Sequence, residues 1–311
     1  MTPTLEGRDM VKRFRAPGGR DTFTAVNAVS LAVTVGEIVG VVGESGCGKT
    51  TVSRILIGIE QPSAGEVRFE GAPVTTPEDW RRLRRSVQYV FQDPSTSLCP
   101  TMRIGEALAE PLVVHRIGTR AEQAARVREV LRLVGLDADA MGRLPAQLSG
   151  GQRQRVSLAR ALIIAPRIVI CDEIVSGLDV SVQAQVLTLI TDLQQRLGLG
   201  LIFISHDLRV VHYLCDRVAV MYLGRIVEEG SVADVFGDPR HPYTRALLSA
   251  VPGHVAAAPV PIRGEPASLL NLPPGCPFAD RCPEVMPVCR EAEPPPQIRN
   301  GHMARCIAAS L

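Results

Sequence analysis

Short apolar runs of strand length alternate with longer segments of helical spacing through most of the chain. The runs at 39–42, 87–91, 168–171 and 201–204 are mostly apolar, which is typical of strands buried on both faces. This alternation predicts a largely parallel sheet wrapped by helices, and therefore an α/β fold.

The strand pattern lapses between about residues 94 and 147, where segments 106–114 and 121–134 have helical spacing. We therefore expect a helical subdomain at about 94–164, inserted into the α/β core.

Near the end of this pattern, runs at 218–222 and 225–229 flank Gly224 and predict a closing hairpin. We place the main domain at 1–251. Composition changes near residue 252, since half of all 24 prolines lie between 252 and 296. Proline suppresses helices and strand pairing, so 252–274 is predicted to be an extended linker.

Composition is that of a soluble protein, with 46% hydrophobic and 21% charged residues. A net charge of +2 supplies no global field towards nucleic acid or anionic lipid, so no nucleic-acid partner is expected. The first 14 residues lack the apolar core of a secretory signal, and no run of about 18 apolar residues could span a bilayer. One arginine cluster, at 81–85, fits either phosphate binding or a solvated helix face, and we favour the latter.

A glycine-rich loop follows the first buried strand and precedes a segment of helical spacing. Residues 43–50 match the phosphate-binding pattern G-x-x-x-x-G-K-[ST] in the setting that this pattern requires. Glycines let backbone N–H groups point at phosphate oxygens, and the helix N-terminus adds partial positive charge. Lys49 is expected to reach the β- and γ-phosphates of ATP, and Thr50 to ligate Mg²⁺. The predicted ATP-binding residues of this loop are Gly43, Glu44, Ser45, Gly46, Cys47, Gly48, Lys49, Thr50 and Thr51.

The pentapeptide LSGGQ at 148–152 begins another helical stretch. Serine at a helix start, followed by two glycines, forms a second phosphate-reading terminus. One ATP has little use for two such termini in one chain. The pattern therefore predicts a head-to-tail dimer in which Ser149, Gly150, Gly151 and Gln152 complete the partner's site. The alternative is a helix cap followed by a flexible hinge.

The apolar run at 168–171 ends in two acids, Asp172 and Glu173. Carboxylates at the C-terminal end of a buried strand lie where α/β sheets place ligands. Asp172 is expected to hold Mg²⁺ directly or through water, and Glu173 to act as general base on the attacking water. The alternative is an acid pair that merely starts a helix.

These motifs, followed by SGLD at 176–179 and SHD at 205–207, occur in the order found in the nucleotide-binding domain of ABC transporters, which the chain resembles over about residues 5–250. The resemblance implies further roles. Gln92 would contact Mg²⁺ or the water and face the permease, His206 would reach the γ-phosphate, and Asp179 would cross the dimer. Phe14 would stack on adenine, although a phenylalanine in the core is the alternative.

Two departures from the family pattern affect these expectations. Ile174 replaces the proline that usually follows the two acids, which is expected to loosen the placement of Glu173 without removing a reacting group. Residues 97–101 read SLCPT where the family usually has SLNPR, which puts details of the coupling to the permease in doubt.

Residues 241–252 and the cysteines after them resemble the C-terminal signature of oligopeptide and dipeptide importer ATPases, and the FQDP and CDE segments resemble the F-type subunit. The resemblance implies a second ABC ATPase as partner, of D type, beneath two transmembrane permease subunits. An extracytoplasmic solute-binding protein would act indirectly. The chain would then lie at the cytoplasmic face of the inner membrane, held there by the permeases.

Three other functions remain open. Relatives with similar motors import nickel, glutathione or glycosides. Soluble ABC ATPases act on ribosomes or DNA, but these usually carry two cassettes or a coiled-coil insertion. A regulatory subunit with a degenerate ATP site is disfavoured, because Lys49, Asp172, Glu173 and His206 are all present.

A short module at 275–311 has too few apolar residues for a core of its own. It contains four cysteines, Cys276, Cys282, Cys289 and Cys306, separated by five, six and sixteen residues. Four thiolates in such a module suggest a metal that supplies folding energy. The spacing lacks the tight pairs usual for zinc, and the resemblance implies a 4Fe–4S cluster. Four reduced thiols in a loose tail are the alternative.

Overall fold

The computed structural model describes residues 2–16, 18–19, 21–251, 264, 269–270 and 272–308. Most of the linker predicted at 252–274 therefore lies outside the described residues. The chain divides into two compact units. The first unit contains Met1–Val33, Ile38–Pro73 and Phe203–Leu311, and the second contains Thr34–Glu37 and Val74–Ile202.

The strands are β1 Leu5–Arg15, β2 Thr22–Val33, β3 Ile38–Val42, β4 Ala64–Phe69, β5 Ala72–Pro73, β6 Val87–Val90, β7 Ile168–Asp172, β8 Gly200–Ile204, β9 Arg217–Tyr222, β10 Arg225–Ser231, β11 Gln297–Arg299 and β12 His302–Ala304. The helices are α1 Lys49–Leu56, α2 Pro77–Ser86, α3 Pro94–Ser97, α4 Ile104–Val114, α5 Arg120–Leu133, α6 Gly150–Leu162, α7 Val180–Leu197, α8 Leu208–Leu214, α9 Val232–Gly237, α10 Pro242–Ser249 and α11 Val288–Glu291. These elements confirm the predicted buried strands, the helices at 106–114 and 121–134, and the hairpin.

The first unit contains an antiparallel sheet in the order β2-β1-β4-β5. Its strands did not stand out in the sequence, because polar side chains interrupt them and only every second or third residue faces the core. Leu5, Met10 and Val26 are fully buried between these strands and the rest of the unit. An antiparallel sheet of this kind carries one polar and one apolar face.

A second set of strands in the first unit has the order β11-β12-β10-β9-β3. Strand β3 pairs in parallel with β9, and the hairpin β9–β10 is antiparallel. The C-terminal strands extend this edge, because Glu228 of β10 lies opposite Ala304 of β12. The cysteine-bearing segment is therefore hydrogen-bonded, through β12, to β10 of this set of strands.

In the second unit, β6 and β7 pair in parallel, with Val87 opposite Ile168. The helices α4, α5 and α6 fall within the predicted helical region, and each contributes fully buried apolar residues, among them Leu108, Leu131 and Val156. The arginines at 81, 82, 84 and 85 are exposed on α2, as the interpretation of a solvated helix face expected.

Within the ranges that the structure describes, no helix combines the length and the apolar character needed to cross a membrane.

Candidate functional site

The phosphate-binding pattern forms a tight loop between β3 and α1 in the first unit. Only glycine fits at two of its positions. A Cβ atom on Gly43 would lie 2.1 Å from the carbonyl oxygen of Met221, and one on Gly48 would lie 2.5 Å from that of Ala25. Both glycines also have positive φ angles, of 148° and 108°. The loop therefore passes close to neighbouring backbone at two positions that leave no room for a side chain.

Lys49 begins α1 and is only 5% exposed. Its Nζ donates hydrogen bonds to the carbonyl oxygens of Gly43 at 2.8 Å and Glu44 at 3.0 Å. The ammonium group thus lies inside the curl of the loop and supplies positive charge there. Ser45 and Gly46 are exposed at the tip, Cys47 is buried, and Thr50 and Thr51 are partly exposed on the first turn of the helix.

Two more predicted residues of the first unit are at least partly accessible. His206 is exposed directly after β8, where the N–H of Ser205 donates to the carbonyl oxygen of Val41 at 3.2 Å. Phe14 is half-buried, with its ring centroid 5.7 Å from that of Phe23 and 5.0 Å from the Nζ of Lys12. The side chain of Phe14 is therefore not fully buried in the core.

The two acids lie at the end of β7 in the second unit. Asp172 is buried, at 4% exposure, and accepts a hydrogen bond of 2.6 Å from the hydroxyl of Tyr89. Glu173 is partly exposed and accepts a hydrogen bond of 3.1 Å from the side-chain amide of Gln92. The structure thus brings Gln92 to Glu173, and it adds Tyr89, which the sequence did not indicate.

The backbone of Glu173 is in the left-handed region, with φ of 47°. Residues other than glycine adopt this conformation rarely, and strain of this kind tends to occur at functional sites. The side chain of Ile174 is 1% exposed. A buried apolar side chain therefore occupies the position where the family usually has proline.

The LSGGQ segment forms the start of α6 in the second unit. The hydroxyl of Ser149 accepts from the N–H of Gln152 at 3.3 Å, and the side-chain oxygen of Gln152 accepts from the N–H of Ser149 at 3.0 Å. This is a reciprocal capping box. Ser149 and Gly150 are nevertheless exposed, so the helix terminus remains accessible to a ligand from outside the chain.

Asp179 is the N-terminal cap of α7, because its Oδ1 accepts from the N–H of Val182 at 2.9 Å. A further hydrogen bond from the hydroxyl of Ser181 lowers the pKa of Asp179 below its usual value. The residue is exposed and charged.

The eight cysteines all lie among the described residues and form no disulfide bond with one another. The four in the C-terminal segment, Cys276, Cys282, Cys289 and Cys306, line one small cavity of about 10 Å³. Burial raises the pKa of the Cys276 thiol to about 11. Among the described residues, no group of three or more His, Cys, Asp or Glu side chains has the arrangement of a metal site. The four thiols converge, but in this conformation they are not placed around an ion.

Comparison with known proteins identifies two segments of the chain. Residues 26–176 match the ABC transporter family, and residues 227–289 match the C-terminal region of oligopeptide/dipeptide transporters. Proteins from Brucella ovis and Brucella abortus, each named "Putative peptide import ATP-binding protein", are 47% identical in an alignment 316 positions long, which covers 100% of this chain and 99% of theirs.

Solved structures show the same architecture. A subunit of the cbiONQ ABC transporter complex from Clostridium perfringens is 27% identical, with a TM-score of 0.66 over 76% of this chain and 91% of that one. A dimeric ATP-binding cassette in a post-hydrolysis state, bound to ADP and phosphate, is also 27% identical with a TM-score of 0.66, covering 73% and 98% of the two chains.

Proposed function

Since this chain belongs to the ABC transporter ATPases, in the branch that carries the oligopeptide/dipeptide transporter C-terminal region, we propose that it hydrolyses ATP to power the import of peptides through separate permease subunits. The observation that carries the proposal is the phosphate loop. Its glycines meet neighbouring backbone closely, and the buried Lys49 lies within the curl of the loop.

In this proposal, Lys49 and the backbone N–H groups of the loop bind the phosphates of ATP, and Phe14 stacks on the adenine. The hydroxyl of Thr50 and the carboxylate of Asp172 carry oxygen atoms of the kind that Mg²⁺ prefers, and the ion would neutralise charge on the phosphates. The short hydrogen bond from Tyr89 orients the Asp172 carboxylate.

Glu173 is the proposed general base. It takes a proton from a water molecule as the water oxygen bonds to the γ-phosphorus, and the bond from that phosphorus to the β-γ bridging oxygen breaks to give ADP and phosphate. Gln92 holds the Glu173 carboxylate through its amide, and the left-handed backbone at Glu173 fixes the direction of the side chain. His206 is the proposed contact of the γ-phosphate.

The proposed active form is a pair of ATPase subunits. Ser149 and Gly150 are exposed at the start of α6, where a partner's nucleotide would meet N–H groups and partial positive charge. The exposed Asp179 is the residue that we propose to cross to the partner. One of the similar solved cassettes is a dimer. We propose a D-type subunit as the partner, two permeases above the pair, and a solute-binding protein outside the cell. The chain then acts at the cytoplasmic face of the membrane.

The four C-terminal cysteines are proposed to hold a metal centre. Four thiols that share one cavity fit a thiolate-ligated centre in number and in chemistry. The cavity of about 10 Å³ has the volume of roughly one water molecule, so a 4Fe–4S cluster requires the thiols to move apart. The cluster remains our proposal, with zinc as the alternative. Its role would be to crosslink the segment.

The proposal is tested by purifying the complex from membranes through a tag on this chain. We expect two permeases and a second ATPase to co-purify, and ATP turnover in the reconstituted complex to rise when a peptide-loaded binding protein is added. Stimulation by nickel, glutathione or a glycoside instead would reassign the solute. Recovery of the chain without any permease would favour a soluble ATPase and refute the transport role.

A further inference from the structure

An ion pair joins the C-terminal cysteine-bearing segment to the phosphate loop. The Nη1 and Nη2 atoms of Arg281 donate to the two carboxylate oxygens of Glu44, at 2.9 Å and 3.0 Å. Glu44 is the second residue of the phosphate loop, and Arg281 directly precedes Cys282. Both residues belong to the first unit. The two parallel hydrogen bonds of such a pair fix the orientation of the guanidinium relative to the carboxylate, in addition to pairing their charges.

Aromatic side chains hold Arg281 in place. Its Nη1 also donates to the hydroxyl of Tyr222 at 3.1 Å, and its guanidinium carbon lies 5.7 Å from the centroid of the Tyr222 ring and 6.0 Å from that of Phe278. The side chain of Arg281 is only 9% exposed, whereas that of Glu44 is 26% exposed. A guanidinium held so firmly is a rigid anchor for a loop.

The backbone of Glu44 is held as well. Its N–H donates to the hydroxyl of Tyr243 at 2.9 Å, and its carbonyl oxygen accepts from the Nζ of Lys49 at 3.0 Å. Tyr243 is fully buried in α10, with its ring centroid 5.4 Å from that of Phe278. Glu44 therefore connects Lys49 on one side to residues of the C-terminal segment on the other.

We propose that Arg281 is a positioning residue for the phosphate loop, acting through Glu44 to set the affinity of the chain for nucleotide. It does so by neutralising a carboxylate that would otherwise repel the phosphates of ATP. It also anchors the loop that carries Lys49, and this anchoring is measured by the mobility of the loop and not by the Kd. This inference rests on the proposed role of the loop in binding ATP. It also makes the order of the cysteine-bearing segment a determinant of ATP affinity.

The test measures the Kd for MgATP in the full-length protein with Arg281→Ala, Glu44→Gln and both together. We expect R281A to raise the Kd about tenfold, because it leaves a partly buried carboxylate uncompensated beside the phosphates. The charge is absent in E44Q, so we expect the loss of Arg281 to change the Kd by less than about threefold when Glu44 is already replaced. An effect that disappears in this way is the signature of two residues that act as a pair.

Hydrogen exchange at the Glu44 amide gives a second measurement without nucleotide. We expect faster exchange in R281A and in the double variant, because the loop loses its anchor. The matched control is Arg290→Ala, which removes another ion pair of the same segment, with the exposed Asp280. R290A should change neither the Kd nor this exchange. If R281A melts far below wild type, Arg281→Lys replaces it, with an intermediate Kd expected.

Failure of this inference is distinguishable from failure of the proposed function. An unchanged Kd in R281A, while Lys49→Ala abolishes binding, would overturn the positioning role alone. A Kd about tenfold higher in the double variant than in E44Q would also overturn it. Normal MgATP binding by K49A would instead refute the nucleotide site on which the inference rests.

Discussion

The hydroxyl of Tyr89 donates a hydrogen bond of 2.6 Å to Oδ2 of Asp172. The two residues lie on β6 and β7, which pair in parallel in the second unit, and Asp172 is buried at 4% exposure. A buried carboxylate needs such donors, because burial without them would disfavour its charged form. Tyr89 therefore orients the acid that we assign to Mg²⁺.

Replacing Tyr89 by Phe removes this hydrogen bond and leaves the ring. We expect the free energy of unfolding to fall by about 1.5–3 kcal/mol, the range for hydrogen bonds to charged groups. Chemical denaturation of wild type and Y89F measures it. Tyr213→Phe, at a residue that is 69% exposed, is the control and should be nearly neutral. Equal stabilities of Y89F and wild type would show that the bond contributes nothing.

Replacing Glu173 by Gln removes the proposed base but keeps the shape of the side chain. We expect MgATP still to bind and the closed dimer to accumulate, while turnover falls about 10²–10⁴-fold, the usual contribution of a general base. Single-turnover assays of the complex measure this. Glu129→Gln, at an exposed residue of α5, is the control. Turnover within a few-fold of wild type would exclude Glu173 as the base.

The sequence predicted the parts of the site that are contiguous. The phosphate loop at 43–50 and the acid pair at 172–173 each consist of neighbouring residues, so their patterns are visible without a structure. Contacts between distant residues were not visible. Tyr89 meets Asp172 through the register of two strands, and Arg281 meets Glu44 across 237 positions. Neither pair has a spacing that sequence patterns record.

The C-terminal segment shows the same limit. The segment has few apolar residues, and its sequence did not indicate where they would pack. In the structure Phe278 is only 1% exposed, because its ring packs against Tyr222 and Tyr243. Nor did the sequence indicate the pairing of β12 with β10. Both depend on surfaces supplied by the rest of the first unit.

His241 gives the protein a specific sensitivity to acid. Burial lowers its pKa to about 4, although Glu228 acts in the opposite direction, and Arg245 lowers it further. Between pH about 6.5 and 4, the unfolded chain binds a proton that the folded chain does not, so the free energy of unfolding falls as the pH falls. The loss is up to about 3 kcal/mol.

Denaturation curves of wild type and His241→Asn across this range test the prediction. Asparagine does not titrate, yet it can accept the hydrogen bond that the Tyr243 N–H now donates to Nδ1 of His241 at 3.1 Å. The stability of H241N should therefore fall less steeply between pH about 6.5 and 4. If the free energies of unfolding of wild type and H241N fall equally steeply with pH, His241 is not the source of this pH dependence.

The cysteine cluster makes a separate prediction. Protein purified anaerobically should contain stoichiometric iron and sulfide, and Cys289→Ser should lose both. MgATP should still bind to that variant, with the raised Kd expected when the segment that carries Arg281 loses its order. Cys99→Ser, at an exposed cysteine of the second unit, is the control and should retain the iron. Stoichiometric zinc would refute the cluster but keep the metal centre. Four freely alkylated thiols, without metal, would refute both.

The most direct test of the ATPase assignment is the turnover of Lys49→Ala in the proposed complex of this chain with a second ATPase and permeases. Lys49 is the buried cation of the phosphate loop, so its loss should remove the charge that binds the β- and γ-phosphates. Arg196→Ala, which removes an exposed cation of α7 paired with Asp192, is the control and should leave turnover unchanged. We predict that K49A loses ATP binding or turnover. Near-normal turnover by K49A would contradict the assigned site.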